Sequence, residues 1–464
     1  MKKVKWTREA DIVIIGAGTA GLPAAIAAHD KGASVLVLEA WKSGSASSLP
    51  FISGGTPFAG TDLQKKLGIK DSPDNLCEEA VRISGGRHDL WRTIADNQLE
   101  FYDWIKSIGA EPEEIFIVPG HPVKRVVHFK GGGPNLLKLL RKSTVEKGIE
   151  ILQGHHAKQL IQDPETRRVI GVTAKTDGKL INLRAKKAVI IATGGFVQNP
   201  DLVREYGPDY VGLIPTAPPS HQGDGLKMAM EIGAATEGIG LAVCPSMSMC
   251  VETKHPVTMG GWGAIYVTTQ GKRWTDEGAS DTGCYTAGYK KLFPIEPDGD
   301  HFVVYDQAIR DGASPAHYKK DKEVAADTIE ELEQKLGIPA GGLRTTVEAY
   351  NSDIEKYGND KRFGRVKRSM TAAPGEPLMK IEKPPFYAIV CKVCLTSMKG
   401  GLKVNIRGQL IDQLGDIIPG IYAAGEVVGG LQGIPGHYYT GHMTINAFVY
   451  GRLAGKYAAE EPSV

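Results

Sequence analysis

Gly16, Gly18 and Gly21 stand in the spacing GxGxxG, and Glu39 follows Gly21 after about 18 residues. Glycines so spaced let a backbone turn tightly and approach a pyrophosphate, whose charge the N-terminus of a following helix stabilises. A carboxylate at the later position accepts hydrogen bonds from an adenosine ribose. The chemistry is dinucleotide binding, and on these residues alone NAD and FAD remain equal alternatives.

The elements that must position these groups are written in the same stretch. DIVIIGAGTAGLPAAIAAHDKGASVLVLEA, Asp11 to Ala40, reads as an apolar strand, a glycine turn through Ala17, Thr19 and Ala20, an alanine-rich helix, and a second strand ending at Glu39 and Ala40. Glycine turns are common, but here strand, helix, second strand and acid are in register, which predicts a Rossmann-like α/β unit. Two later stretches repeat the strand-to-glycine pattern. RAKKAVIIATGGF (Arg184 to Phe196) runs into Thr193 and Gly194, and GIYAAGEVVGG (Gly420 to Gly430) ends in Gly425 and Glu426. Both resemble the secondary fingerprints of two-dinucleotide-type flavoproteins, in which the late acid bonds the ribityl chain. The resemblance implies FAD.

Composition excludes several classes. At 464 residues the chain has room for one large and one smaller domain, and 42% hydrophobic with 23% charged residues describes an ordinary globule. A net charge of +2 gives no broad field for nucleic acid. The densest basic stretch, KRFGRVKR from Lys361 to Arg368, reads as a solvated helix end or loop. The basic N-terminus lacks the apolar core of a leader, and no run reaches the roughly 18 apolar residues of a membrane span; the expectation is cytoplasmic. Among six cysteines only Cys391 and Cys394 form a CxxC, and in the strand-like YAIVCKVCL they read as strand thiols, with no metal site.

SGSASSLPFISGG, Ser43 to Gly55, is a small-residue loop in which Ser47, Ser48, Gly54 and Gly55 let the backbone lie against an extended cofactor. It looks like the second flavin-contacting loop of the succinate dehydrogenase and fumarate reductase flavoprotein superfamily. Members with covalent flavin carry a histidine in this loop; this chain has none between His29 and His88, so the resemblance implies noncovalent FAD. It also assigns Ala157 to the adenine end and Asp224, in HQGDGLKMAMEIGA, to a loop over the flavin. GHYYTGHMTINAFVYGRLAGKYAA begins polar and becomes an amphipathic helix with Thr444 and Ile445 in its first turn; in the superfamily this helix points its positive end at the flavin pyrimidine ring. An FAD-binding domain of residues 1–240 and 385–464 would enclose an inserted α+β capping domain of residues 241–384, with hinges near Pro245 and Pro384-Pro385.

Superfamily enzymes move a hydride between flavin N5 and a carbon β to a carbonyl or carboxylate while a protein group handles the α proton. Fumarate reductases grip a dicarboxylate with arginines. Here GKRWTDEGASDTGCYTAGY keeps Arg273 and Glu277, which read as an ion pair ordering the cap, but Asp281 falls at the proton-donor position. Tyr438 replaces an arginine near the last helix, and Cys244-Pro245 stands where His-Pro is usual. A dianion would face a carboxylate and a phenol, at a cost of several kcal/mol. DEGASDTGCYTAGY is similar to tricarballylate dehydrogenase, and TSMKGGL (Thr396 to Leu402) resembles the TKGGL loop of 3-ketosteroid dehydrogenases.

The resulting expectation is an oxidoreductase of the α,β bond of a cyclic ketone, enone or steroid-like substrate. Tyr438 or Tyr439 polarises the carbonyl, and His437 and Asp281 compete for proton transfer. The structural alternatives are that His437 bonds the glycine loop and that Asp281 caps a helix or pairs with Arg273. The functional alternatives are a tricarballylate- or fumarate-like substrate and a noncatalytic electron relay. No second GxGxxG unit of this quality follows, so the electron donor or acceptor is a separate, unidentified partner.

Overall fold

The structure is a computed structural model that describes residues 4–44, 47–51, 54–117, 121–241, 243–253, 256–257, 259–277, 291–313, 322–366, 377–434 and 439–464. The chain opens with strand β1 (Arg8–Ile15), helix α1 (Gly21–Asp30) and strand β2 (Val35–Glu39). Ile12, Val13 and Ile14 are wholly buried, because this strand is covered on both faces and therefore reads as an unbroken apolar run. After helices α2 (His88–Ser107) and α3 (Gly132–Glu146) come β3 (Glu150–Gln153), β4 (His156–Gln162), β5 (Val169–Thr176) and β6 (Lys179–Ile191). The β5–β6 hairpin turns on Asp177 and Gly178, both at positive φ, as an Asp-Gly dipeptide favours. Helix α4 (Asp224–Glu231) follows.

The second region is antiparallel. Strands β7 (Val243–Cys250), β8 (Ile265–Val267), β9 (Asp300–Asp306) and β10 (Phe386–Met398) form a sheet in the order β7-β10-β9-β8. Helices Ile329–Leu336 and Gly342–Tyr357 are each stopped by a glycine in the left-handed region. The expected boundary at Pro384-Pro385 is corrected. It assigns β10 to the first domain, yet β10 hydrogen-bonds to β7 on one side and β9 on the other. A 13-residue strand bonded along both edges belongs to the sheet it completes.

The chain then returns to the first sheet as β11 (Gln409–Ile411) and β12 (Ile417–Ala423), and ends in helix α5 (His442–Glu460). The order is β11-β12-β6-β1-β2-β3, with parallel pairing from β12 to β3, which is the Rossmann-like α/β architecture. Helices α1 and α5 pack closely because a Cβ at Gly451 or Gly455 would sit 2.5 or 2.2 Å from the carbonyl oxygens of Ala20 and Ala24. Among the described residues no helix is long and apolar enough to cross a membrane. Cys391 and Cys394 are buried in β10.

Candidate active site

Two of the three fingerprint glycines are demanded by the chain's own packing. Gly16 takes φ +113°, and a Cβ there would lie 2.3 Å from the carbonyl oxygen of Ala192 at the end of β6. One on Gly21 would lie 1.8 Å from the Gly16 carbonyl oxygen. Gly18 differs, since a Cβ there would meet nothing nearer than Ser47 Oγ at 3.6 Å. What the missing side chain of Gly18 keeps clear is the floor of a cavity. Helix α1 starts beside it with no side-chain cap and no acid in its first turn, so its N-terminal amides suit an anion.

The cavity, counted with the open solvent at its mouth, holds about 970 Å³ of empty space. The turn after β1 contributes Gly16, Ala17, Gly18, Thr19 and Ala20, and the end of β2 contributes Glu39 and Ala40. Ser47, Ser48, Ala157, Thr193, Gly194 and Asp224 line it, as do Gly425, Glu426 and Thr444. Residues far apart in sequence meet here because the parallel strands all end on one edge of the sheet.

Three polar atoms in this wall are buried without a hydrogen-bond partner: Thr193 Oγ1, His221 Nδ1 and Glu426 Oε1. Leaving such an atom unsatisfied costs about 1–3 kcal/mol, so three of them around one cavity match a polyhydroxylated chain such as ribityl. His221 is buried, with Nε2 3.1 Å from Ser48 Oγ and Nδ1 3.6 Å from Glu426 Oε2. Asp224 Oδ2 lies 2.7 Å from His156 Nε2, a bond that holds the Asp224 carboxyl below the usual carboxylate range. Glu39 is buried at the end of β2 and accepts the Trp41 amide at 3.0 Å. Anionic, hydroxyl-bearing and apolar walls together fit FAD.

Four expected contacts fall off the cavity. Gly21 serves the packing of α1. A Cβ at Gly54 would meet the Gly133 amide at 2.9 Å, and one at Gly55 the His128 ring at 2.6 Å, so these glycines seat the loop on α3 and β-structure. Ile445 is wholly buried in the core, because one step along a helix turns about 100° away from Thr444. Conversely, His155, His156, His221 and Met443 line the cavity unforeseen. His155 and His156 directly precede Ala157 and His221 stands two before Gly223, and this adjacency to motif positions was the available signal.

The proton-handling candidates divide. His437, Tyr438 and Asp281 lie outside the described residues. Tyr439 is fully buried and does not line the cavity; its hydroxyl accepts from Arg125 Nη1 at 2.8 Å. Arg125 also donates to Asp71 through Nε and Nη2, at 2.7 and 2.6 Å, and Nη1 reaches Glu79. Tyr439, expected as a carbonyl-polarising candidate, thus stands off the cavity with its hydroxyl accepting from a buried ion network.

Arg273 and Glu277 form the expected ion pair at 2.8 and 2.6 Å, with Asp360 3.0 Å from the guanidinium. Arg365 is corrected from a solvated residue to a buried one that donates to Glu277 and to the carbonyls of Gly260 and Ala264. Arg125, Arg273 and Arg365, the buried arginines among the described residues, are thus each held by carboxylates.

Comparison with known proteins agrees with this geometry. A family described as an FAD binding domain matches residues 11–435. The NADH:fumarate oxidoreductase of Klebsiella pneumoniae is 29% identical over 458 residues, covering 97% of this chain and 48% of that protein. This chain therefore spans about half the length of that relative. The vinyl phenol reductase of Lactiplantibacillus plantarum is 28% identical, covering 97% of this chain and 96% of its own. The solved 3-ketosteroid-Δ4-(5α)-dehydrogenase of Rhodococcus jostii RHA1, in complex with 4-androstene-3,17-dione, superposes with a TM-score of 0.78 at 26% identity, covering 99% of this chain and 98% of that one.

Proposed function

Because this chain belongs to the FAD binding domain family of flavoproteins and has FAD as its cofactor, we propose that it is an oxidoreductase of a C=C bond conjugated to a carbonyl, acting on a neutral cyclic ketone, enone or steroid-like substrate. FAD supplies hydride donation or acceptance at N5. Gly16 to Ala20 and the start of α1 hold the pyrophosphate. Glu39, Ala40 and Ala157 enclose the adenosine, and Ser47, Ser48, Thr193, Gly194, Asp224, Gly425 and Glu426 hold the ribityl chain and ring. Thr444 and the N-terminus of α5, which has no acid in its first turn, set a positive potential against the far end. His437 or Asp281 moves the α proton, and Tyr438 polarises the carbonyl.

The observation that carries the neutral substrate is the commitment of Arg125, Arg273 and Arg365 to buried carboxylates. A dianion needs cations that are not already neutralised. The kinship to an NADH:fumarate oxidoreductase supports a second reading, a carboxylated substrate. Anaerobic stopped-flow separates the two: prereduced holoenzyme is mixed with 2-cyclohexen-1-one, 4-androstene-3,17-dione or fumarate. Saturable flavin reoxidation by a ketone supports the first reading and reoxidation by fumarate alone the second. No reoxidation by any of them would leave an electron-relay role, with a quinone, redox protein or oxygen as partner.

A further inference from the structure

The CxxC of β10 does not close on itself, because residues three apart on a strand point to opposite faces of the sheet. The neighbouring strand supplies a different partner for one of its members. In the register of β7 against β10, Cys250 lies directly across from Cys391. Both are buried, at 2% and 0% exposure, and neither forms a disulfide in the structure.

The hydrogen-bond pattern fixes what kind of pair this is. One position further along, Val251 donates its amide to the Val390 carbonyl at 3.1 Å. Bonded and non-bonded pairs alternate in an antiparallel ladder, so Cys250 and Cys391 form a non-hydrogen-bonded pair. The other edge of β10 gives the same answer. There Val393 donates to the Gly299 carbonyl at 3.0 Å, so two positions back Cys391 forms a hydrogen-bonded pair with His301 of β9, and its backbone groups point away from β7. Residues opposed across a non-hydrogen-bonded position have Cα atoms about 4.5 Å apart and side chains close together on one face. A disulfide needs Cα atoms about 4.4–6.8 Å apart.

We propose that Cys250 and Cys391 are an oxidisable pair, a modification site that takes a small-molecule disulfide as oxidant and becomes a cross-strand disulfide. Cys250 is the last residue of β7 and is followed two positions on by the exposed Glu252, so fraying of that strand end reaches its sulfur first. Its thiolate attacks one sulfur of the oxidant, breaking the oxidant's S–S bond and releasing one thiol. The Cys391 thiolate then displaces the other half and forms the new S–S bond, so the two electrons and two protons lost by the cysteines end on the two released thiols. Burial pushes the Cys391 thiol well above its ordinary value, with Cys250 and Cys394 adding to the shift. Exchange is therefore slow, and it answers to a standing redox poise rather than to a brief pulse of oxidant. Topology gives the bond its consequence: β7 carries the chain into the second sheet and β10 carries it out, so the link closes a loop around nearly the whole second region and stabilises it by limiting the unfolded chain.

The test incubates reduced holoprotein with glutathione disulfide, blocks the remaining thiols with N-ethylmaleimide and maps tryptic peptides without reduction. Lys392 separates Cys391 from Cys394 in the digest, and fragmentation distinguishes Cys250 from Cys244. The expected result is a peptide pair linked through Cys250 and Cys391, formed in folded protein that keeps its FAD. With it comes a rise of roughly 5–10 °C in the thermal midpoint, reversed by dithiothreitol. Cys394→Ala should leave the link in place, and Cys250→Ala should abolish both the link and the shift. If a variant does not fold, the wild-type map alone decides. A folded wild type without the Cys250 to Cys391 link, or one that forms it only in urea, overturns the inference, and neither result bears on the substrate of the flavin site.

Discussion

The guanidinium of Arg125 holds the hydroxyl of Tyr439 at 2.8 Å across 314 positions of chain; the same Nη1 reaches Glu79, and Nε and Nη2 grip Asp71. Arg125 and Asp71 side chains are both 0% exposed. The network ties the loop before the Val126–Phe129 strand to the last three residues before α5, so the entry to that helix is fixed by buried charge.

Removing one side of this network should be costly. Arg125→Met leaves Asp71 uncompensated in the interior and should cost about 3–5 kcal/mol of stability. Tyr439→Phe loses one hydrogen bond to a charged group and should cost about 1.5–3 kcal/mol. Urea unfolding of both variants measures this; equal midpoints for Arg125→Met and wild type would contradict the network.

The glycine geometry separates folding from cofactor binding. Gly21→Ala forces a Cβ to 1.8 Å from the Gly16 carbonyl oxygen and should destabilise the fold outright. Gly18→Ala meets nothing nearer than Ser47 Oγ at 3.6 Å but puts a methyl on the cavity floor, so it should fold and retain FAD poorly. Circular dichroism together with flavin absorbance after gel filtration decides this.

Orphaned polar atoms predict which side chains grip the cofactor. Thr193→Val and Glu426→Gln should each weaken FAD binding by about tenfold, matching a hydrogen bond of roughly 1.5 kcal/mol. Stripping FAD should lower the melting temperature, and readdition at about 100 times the dissociation constant should restore roughly 2.7 kcal/mol. Equilibrium dialysis and a thermal melt with and without FAD check both statements.

Acid should weaken the fold before carboxylates titrate. Burial pushes His121 and His301 down to about 4 from an ordinary 6.5. Arg125 adds to the effect at His121, where Asp71 and the Thr440 carbonyl partly oppose it; Asp300 and the Gly299 carbonyl oppose it at His301. Between pH 6.5 and 4 the unfolded chain binds protons that the folded one refuses, so stability falls as pH falls through that window. Each imidazole contributes up to about 3 kcal/mol. Urea midpoints from pH 7.5 to 4.5 should drop, and His301→Gln should flatten part of the slope; a flat wild-type profile would exclude the mechanism.

The cavity wall was legible in the chain because it is local. Strand period, glycine spacing and a terminal acid point to Gly16 and Glu39, the family resemblance points to Thr193, Gly425 and Glu426, and all five line the cavity. Where pattern failed, the helix or sheet made the choice: Thr444 faces the cavity and Ile445 the core by one turn of rotation, and β10 reads as a strand without saying which sheet it joins.

Sequence by itself determined the dinucleotide cradle and the family resemblance, since nearest-neighbour sterics and hydrophobic period are written along the chain. Only the tertiary structure decided that Arg125 neutralises Asp71, that Arg365 is interior, and that the Tyr439 hydroxyl accepts from Arg125. Those facts depend on contacts between residues hundreds of positions apart, and electrostatic strength depends on burial, which a chain acquires only when its layers close.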